Sequence, residues 1–387
     1  TCVFISFAKH QQFLKINQMN GQNLKNDYLP EVAFLFYLLL LTYFIKFSNF
    51  VDFDFTVVGW FLFSIYALIR IRLRVILWIG VFHLVLSFFY FSGLHLDDQG
   101  DGGVYGKVLL TSFFLTSTTF GFLSGEVRGY KISFFDIFYS RFFIYLCYGL
   151  LVYWVIFIFN ASSFLGDYLV KDYGGANYLT TSDLLAMFSL ALIGSSRTSL
   201  FESICFALIT IVALVLLGSR ASMTLFAACY LVAIKNLSLP KKLAGSLFFV
   251  FALFLGLIFI ENAESGLFYR FNSIFTLGDD DSSFARSELF SKYFDNLFAN
   301  PICFALPCPP AAGNYVHNIL SVHQYFGLMV FLVILSLLLL SFLQIKSYFS
   351  GPFFALLAYS FIQVLFFRSW ASLTFPIFLA LILLSFT

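Results

Sequence analysis

Apolar residues run through this chain in long blocks separated by short polar breaks. A helix that crosses a bilayer needs about 20 mostly apolar residues, with roughly 17–25 common. Twelve blocks are read as such helices: 32–49, 55–70, 75–93, 107–125, 142–160, 183–195, 200–218, 221–236, 243–262, 319–344, 352–367 and 372–387. Only a few residues separate 183–195, 200–218 and 221–236, so tight hairpins are predicted there. One interval differs in kind. Residues 263–316 are too long and too polar for a turn, and loops of that length usually carry function. Inside it, Phe284, Leu289, Phe290, Tyr293, Phe294 and Leu297 recur at helical spacing. That pattern predicts an amphipathic helix lying on a membrane surface. No repeat of fixed period is visible.

Composition agrees with lipid as the main solvent. Hydrophobic residues make up 60% of the chain and charged residues 11%. Soluble domains average about 45–50% and about 25%. The mean hydropathy is +0.91, and Phe alone occurs 57 times. A soluble globule has too much surface to hide that much apolar area. A disordered chain, a secreted disulfide scaffold and a nucleic-acid binder are excluded, the last also by a net charge of +2 without a basic block. The expected fold class is an all-α polytopic membrane protein of about twelve helices with one large outer loop.

Charge orients the chain. With the amino terminus in the cytoplasm, inner segments hold 14 of the 22 basic residues, including Arg70, Arg72, Arg74, Lys241 and Lys242. Outer segments then hold 15 of the 20 acidic residues, including Asp52, Asp54, Asp97, Asp98 and Asp279–Asp281. This follows the positive-inside rule. Both termini are expected in the cytoplasm and residues 263–316 outside. The expected organisation is a cytoplasmic segment 1–31, helices one to nine over 32–262, the outer loop 263–316, and the last three helices over 317–387. Residues 1–18 lack an apolar core and are not a signal peptide. They are read either as native or as translated upstream sequence before Met19.

Candidate chemistry collects on the outer side. Gly218-Ser219-Arg220 interrupts two apolar helices. An Arg there either snorkels to headgroups or grips a phosphate or carboxylate with its two-pronged guanidinium. Arg270 and Arg286 lie in the loop, Arg286 within Ser282-Ser283-Phe284-Ala285-Arg286. Tyr315-Val316-His317-Asn318 closes the loop and opens the tenth helix. His317 has the side chain suited to proton transfer near neutrality, though a boundary His is also a common polar anchor. His323, about one and a half turns further in, is expected to matter less. His83 is expected only to pack. Cys303 and Cys308 are either paired by an oxidising compartment or free thiols, and their replacement is expected to leave activity intact. No metal-ligand pattern is present. Asp52-Phe-Asp54 has the letters of a DxD motif, which short matches often do by chance.

The order Ser219-Arg220, then a large loop with Ser282-x-x-x-Arg286, then Asn300-Pro301, then His317-Asn318 with Gly327 ten residues on, resembles the O-antigen polymerase (Wzy) and O-antigen ligase (WaaL) superfamily of bacterial inner-membrane glycosyltransferases. Two positions depart from that pattern. Phe304-Ala305-Leu306-Pro307 stands where Gly-x-Gly is frequent, and Gln324 where Glu is. The resemblance implies a GT-C-like, metal-independent enzyme without cofactor. Its donor and acceptor would be oligosaccharides linked to undecaprenyl diphosphate, at the periplasmic face. Membrane lipids and a chain-length regulator protein are the further partners implied. In that scheme Arg220, Arg286 and Arg270 hold the diphosphate, with Ser219 and Tyr315 beside the substrate. His317 takes the proton of the attacking hydroxyl, and Asn318 orients the imidazole or the acceptor. Polymerase is preferred to ligase, and a lipid-linked oligosaccharide flippase or other transporter is the rival from another class.

Overall fold

A computed structural model describes residues 73–93, 109, 110, 112–117, 119, 120, 145, 149, 152, 153, 176–193, 199–217, 219–234, 281–308, 316, 318–348, 351–368, 370, 372 and 374–385. The first, second and ninth predicted helices, Arg270, Tyr315 and His317 lie outside them. All regular structure among the described residues is helical, with no strand. The helices are α1 (Leu73–Gly93), α2 (Ala176–Ile193), α3 (Leu200–Leu216), α4 (Arg220–Ala233), α5 (Asp281–Ala299), α6 (Ile302–Ala305), α7 (Leu320–Tyr348), α8 (Gly351–Ile362) with a π-helical turn at Gln363–Phe367, and α9 (Thr374–Ser385). Only Leu320–Leu340 of α7 is long and apolar enough to cross a membrane among the described residues. Shorter apolar helices include Leu77–Tyr90, Leu179–Ile193 and Leu200–Leu214. The twelve crossings read from the sequence therefore go further than these helices do.

Helix α2 is the centre. Every residue from 181 to 193 is buried, so this helix has no solvent face to make amphipathic. It packs against α3, α4, α8 and α9. Ser189 and Thr210 join α2 to α3 by a hydroxyl–hydroxyl bond, and the Thr210 hydroxyl also donates to the Phe206 carbonyl at 2.7 Å. A reciprocal capping box opens α3. The Glu202 N–H donates to Ser199 Oγ at 3.2 Å, and the Ser199 N–H donates to Glu202 Oε2 at 2.6 Å. These bonds satisfy donors that a helix start otherwise leaves orphaned.

Helix α1 carries Ile79, His83, Leu86 and Tyr90 on its buried face and Trp78, Leu84 and Phe88 on its exposed one. His83 does more than pack. Its Nδ1 faces the Ile79 carbonyl at 2.9 Å and must donate there, which leaves Nε2 to accept from the Ser112 hydroxyl at 3.3 Å. Mid-helix His was read as unaccompanied because its partner lies 29 residues away. Tyr90 then joins Tyr325, Phe326 and Trp370 in an aromatic cluster, with Trp370 4.9 Å from Phe326 and 5.3 Å from Tyr325 between ring centroids.

Helix α7 is two pieces. Gly327 interrupts it with φ 78° and ψ 176°, a conformation essentially confined to glycine. Residues 321–327 before the break are all buried. After it, Val330, Ile334 and Leu338 face the protein, while Met329, Leu332, Val333, Leu339 and Leu340 are exposed. A Cβ on Gly327 would stand 2.9 Å from the Ala305 carbonyl oxygen and 3.1 Å from Pro307. Gly327→Ala is thus expected to destabilise the protein by about 1–3 kcal/mol from backbone strain alone. Crowding against Ala305 adds to this. Thermal unfolding of the purified variant in detergent measures the loss, and an unchanged midpoint would refute the close approach.

Candidate functional site

Asp183 is the first residue of the sixth helix predicted from the sequence, 183–195. The structure extends the helix back to Ala176, so Asp183 sits two turns inside α2 with its side chain 1% exposed. Arg368 meets it from the connection between α8 and α9. Arg368 Nε donates to Asp183 Oδ2 at 2.6 Å, and Nη2 donates to Oδ1 at 3.0 Å. This is the bidentate fork that makes Arg–carboxylate pairs strong and directional. Ser222 Oγ, Tyr359 OH and Gln363 Nε2 also donate to Oδ1 at 2.7, 3.0 and 2.9 Å, and Thr374 Oγ1 donates to Oδ2 at 3.0 Å. Oδ1 receives more contacts than it has lone pairs, so some are shared. One carboxylate thereby ties α2 to α4, α8, the π-helical turn and α9.

The π-helical turn explains how Arg368 reaches so far in. Its N–H closes on the Gln363 carbonyl at 2.7 Å, and the residue itself is extended at φ −129°, ψ 136°. The wider turn places Gln363 and Arg368 on the same carboxylate. Such turns occur mostly as single-turn bulges within α-helices, frequently at functional sites.

The Ser219-Arg220 corner is attached to this cluster. Ser219 precedes α4 with φ −92°, ψ 86°, and its carbonyl accepts the Met223 N–H at 3.1 Å. Its hydroxyl does not cap the helix. It donates to Ser222 Oγ at 2.8 Å, and Ser222 in turn donates to Asp183. Arg368 Nη2 also donates to Ser222 Oγ, at 3.1 Å. Ser219 is buried, so its part is to hold the corner. Arg220 is the first residue of α4, and its side chain lies outside the described structure.

The entry to α7 is attached to the same connection. The Trp370 N–H donates to Ser321 Oγ at 3.0 Å, and the Ser321 hydroxyl donates to the Asn318 carbonyl at 2.7 Å. The Ile319 N–H donates to the Leu365 carbonyl at 3.4 Å. Asn318 Oδ1 accepts the Leu320 N–H at 2.9 Å. Asn318 therefore caps the helix start, and only its Nδ2 remains to orient anything else. Residues 365–370 are thus the meeting point of the two corners that the sequence placed almost a hundred residues apart.

Residues 263–316 contribute α5 and α6. On α5, Phe290, Phe294 and Phe298 form an exposed stripe four residues apart, continued by Ile302, Phe304 and Leu306. Ser291, Lys292, Asp295 and Asn296 lie on the polar side, where Lys292 pairs with Glu288 at 2.8 Å. Arg286 is exposed in the second turn of α5. The structure links Ser219 and Asn318 to the α8–α9 connection and leaves Arg286 on α5.

Tyr293 faces inward and meets His323. The Tyr293 hydroxyl lies 2.9 Å from His323 Nδ1, and His323 Nε2 lies 2.9 Å from the Phe304 carbonyl oxygen. A carbonyl only accepts, so Nε2 carries the proton, and a neutral ring accepts from Tyr293 at Nδ1. Burial pushes the Tyr293 phenol up to about 12, which keeps it a donor over the whole working range. His323 is therefore a clamp between α5, α6 and α7. Its partners lie 19 and 30 residues away in sequence, without a local signal. Cys303 and Cys308 are joined in a disulfide with Cα atoms 5.3 Å apart. The turn they close is held to α7 by the Cys308 N–H, which donates to the Gln324 carbonyl at 2.9 Å.

Asp183, Ser222, Tyr359, Gln363 and Arg368 were all missed by sequence reasoning. The available signal was a charged residue directly before an apolar block, at Asp183, and directly after one, at Arg368. Comparison with known proteins returns no match: no family model fits the chain, and no curated protein and no solved structure is detectably similar to it.

Proposed function

We propose that this chain is a bacterial inner-membrane glycosyltransferase of about twelve crossings. It would join oligosaccharide repeat units linked to undecaprenyl diphosphate at the outer face, as an O-antigen polymerase. The membrane part of the reading is supported by α1 and α7, whose exposed faces are as apolar as their buried ones. Trp78, Leu84 and Phe88 are each about 70% exposed. Rows of that kind are rare against water and ordinary against lipid. The exposed Phe stripe of α5 suits a helix seated in the interfacial layer.

The observation that carries the enzymatic reading is the convergence at residues 365–370. Ser219, next to Arg220, and Asn318, next to His317, are each linked to that one connection through a single serine, Ser222 and Ser321. Arg220 and His317, the chain neighbours of Ser219 and Asn318, would supply two needs of glycosyl transfer from a diphosphate carrier. The guanidinium of Arg220 offsets the charge that develops on the leaving diphosphate. His317 accepts the proton of the attacking sugar hydroxyl. In-line attack on the anomeric carbon then inverts its configuration. Arg270 and Arg286 would serve the diphosphate from the loop. The ligase, with lipid A-core as acceptor, shares this chemistry and differs in the acceptor alone.

A transporter of lipid-linked oligosaccharide is the second reading, and two observations favour it. A carboxylate–guanidinium pair lies inside the helical core, and helices are broken at Gly327 and at Gln363–Phe367. Both are features of transport folds. Purified protein mixed with lipid-linked repeat units in detergent separates the readings, because a transporter has no compartments to connect there. A ladder of lengthening glycans is expected. No ladder in detergent, with movement of the lipid-linked glycan across vesicle bilayers, would replace the enzyme by the transporter. In a deletion strain, single-repeat core-linked glycan indicates the polymerase, and polymer left on the lipid carrier indicates the ligase.

A further inference from the structure

The break in α7 is held from outside the helix. Residues on both sides of Gly327 are helical, and Gly327 alone leaves the helical region. Glycine populates positive and negative φ about equally readily, so this one residue can serve as a hinge. The turn 303–308 meets α7 at three places around it. The Phe304 carbonyl lies 2.9 Å from His323 Nε2, and the Cys308 N–H donates to the Gln324 carbonyl at 2.9 Å. Ala305 and Pro307 occupy the space beside Gly327. A helix carbonyl ordinarily accepts the N–H four residues on. For Gln324 that residue is Leu328, beyond the break, and Cys308 supplies a donor to this carbonyl from another element.

The turn is weak by itself. Its helical part, α6, is four residues long, far below the length at which a helix is stable alone. Phe304, Ala305 and Leu306 are exposed. The Cys303–Cys308 disulfide closes the turn and keeps the Phe304 carbonyl and the Cys308 N–H aimed at α7 together. Cys303 is buried and Cys308 half-buried, so the bridge is approached from the Cys308 side. The rest of this end of α7 is anchored independently. Ser321 accepts the Trp370 N–H, Tyr325 stacks on Tyr90, and Phe326 meets Trp370 edge-on. Loss of the turn would therefore free the hinge without releasing the helix.

We propose that the disulfide-closed turn 303–308 is a thiol-sensitive latch on α7. Closed, it locks the hinge at Gly327. Opened by a dithiol, it lets the helix fluctuate about that residue. In the opening step a thiolate of the dithiol attacks Cys308 Sγ, the Sγ–Sγ bond breaks, and Cys303 leaves as a thiolate and takes a proton. The second thiol of the reagent then displaces Cys308, which is protonated in turn. The protein gains two electrons and two protons, and the dithiol departs as a cyclic disulfide.

Amide hydrogen exchange tests this in the purified full-length protein in detergent, without substrate, so the outcome is separate from that of the proposed reaction. The protein is followed as isolated, after dithiothreitol, and after reoxidation with oxidised glutathione. Reduction is expected to speed exchange about 10–100-fold at 303–308 and at 326–330, the lower part of the range that disulfides contribute, as suits a short loop. Exchange at 181–193 of α2 should stay as it was, and reoxidation should restore protection. The double variant Cys303→Ser/Cys308→Ser should show the fast pattern without reductant and respond no further to it. If that variant fails to fold, reduced wild-type protein decides alone. Faster exchange at 303–308 with 326–330 unmoved would overturn the latch, because α7 would then hold its own break. So would faster exchange throughout, α2 included, which is the mark of a general staple. Protection that fails to return on reoxidation would overturn it too.

Discussion

Asp183→Ala is expected to be the most destabilising single substitution in the described part of the molecule, by about 3–5 kcal/mol. The carboxylate is the shared acceptor for Arg368, Ser222, Tyr359, Gln363 and Thr374. Removing it leaves a guanidinium enclosed by protein without its counter-charge and several donors without their acceptor. Arg368→Met should be comparably harmful, for the mirror-image reason. The double variant Asp183→Leu/Arg368→Met is expected to be less damaged than the two losses added together. Buried pairs are costly to break and often replaceable by apolar groups, and residues in contact do not act independently. Thermal unfolding in detergent measures all three. Additive losses would show that the two side chains act separately, against the geometry. On the proposed function, the double variant should still make less polymer, because Ser222 loses the carboxylate that orients it under the Ser219-Arg220 corner.

His317→Gln carries the largest expected effect on activity. A positioned general base typically contributes about 10²–10⁴-fold, equivalent to roughly 3–5 kcal/mol of barrier. Glutamine retains hydrogen bonding and cannot take a proton at neutral pH, so it should be nearly as poor as alanine. Binding of the lipid-linked donor should persist in both, since the diphosphate contacts are assigned to the arginines. Wild-type activity should fall as the solution is acidified through the imidazole pKa, because only the neutral ring accepts a proton. A comparison with His323→Ala is uninformative as a control. That substitution removes the link between α5, α6 and α7 and is expected to reduce stability. Near wild-type polymerisation by His317→Gln would limit His317 to holding the acceptor.

The elements that could be read in advance are those whose pattern is local. The apolar block of α7, the helical spacing of α5 and the position of Gly327 all stand in a short window of sequence. The block boundaries at 200 and 352 are each within one residue of the helices found there. What escaped reading depends on partners far apart. Asp183 and Arg368 are 185 residues apart, and each looked like an ordinary charge at the edge of an apolar run. Thr180-Thr181-Ser182 resembles a loop until Arg368, Ser222 and Tyr359 make a polar helix start worth burying. His323 was judged by its helical face relative to His317, when its role depends on Tyr293 and on a backbone carbonyl. Ser219 and Asn318 stood out in the sequence as positions. Their roles as a corner tether and a helix cap were not, because those depend on which hydroxyl or amide happens to lie opposite.

The span of the Asp183–Arg368 bond also sets an order for how the molecule is made. Synthesis runs from the amino terminus, so α2 exists long before residue 368 leaves the ribosome. Until then the carboxylate has no cation to close on, and the bundle around α2 must either stay open there or keep that end wet. The turn between Cys303 and Cys308 faces no such delay, since its two ends are five residues apart. It can be complete when α7 emerges to dock on it. Assembly would then start among α2, α3 and α4, which pack on one another, and close at the centre only when Arg368 and Thr374 reach the carboxylate. A nascent chain that stalls before residue 368 would keep an unneutralised acid in the heart of its helices.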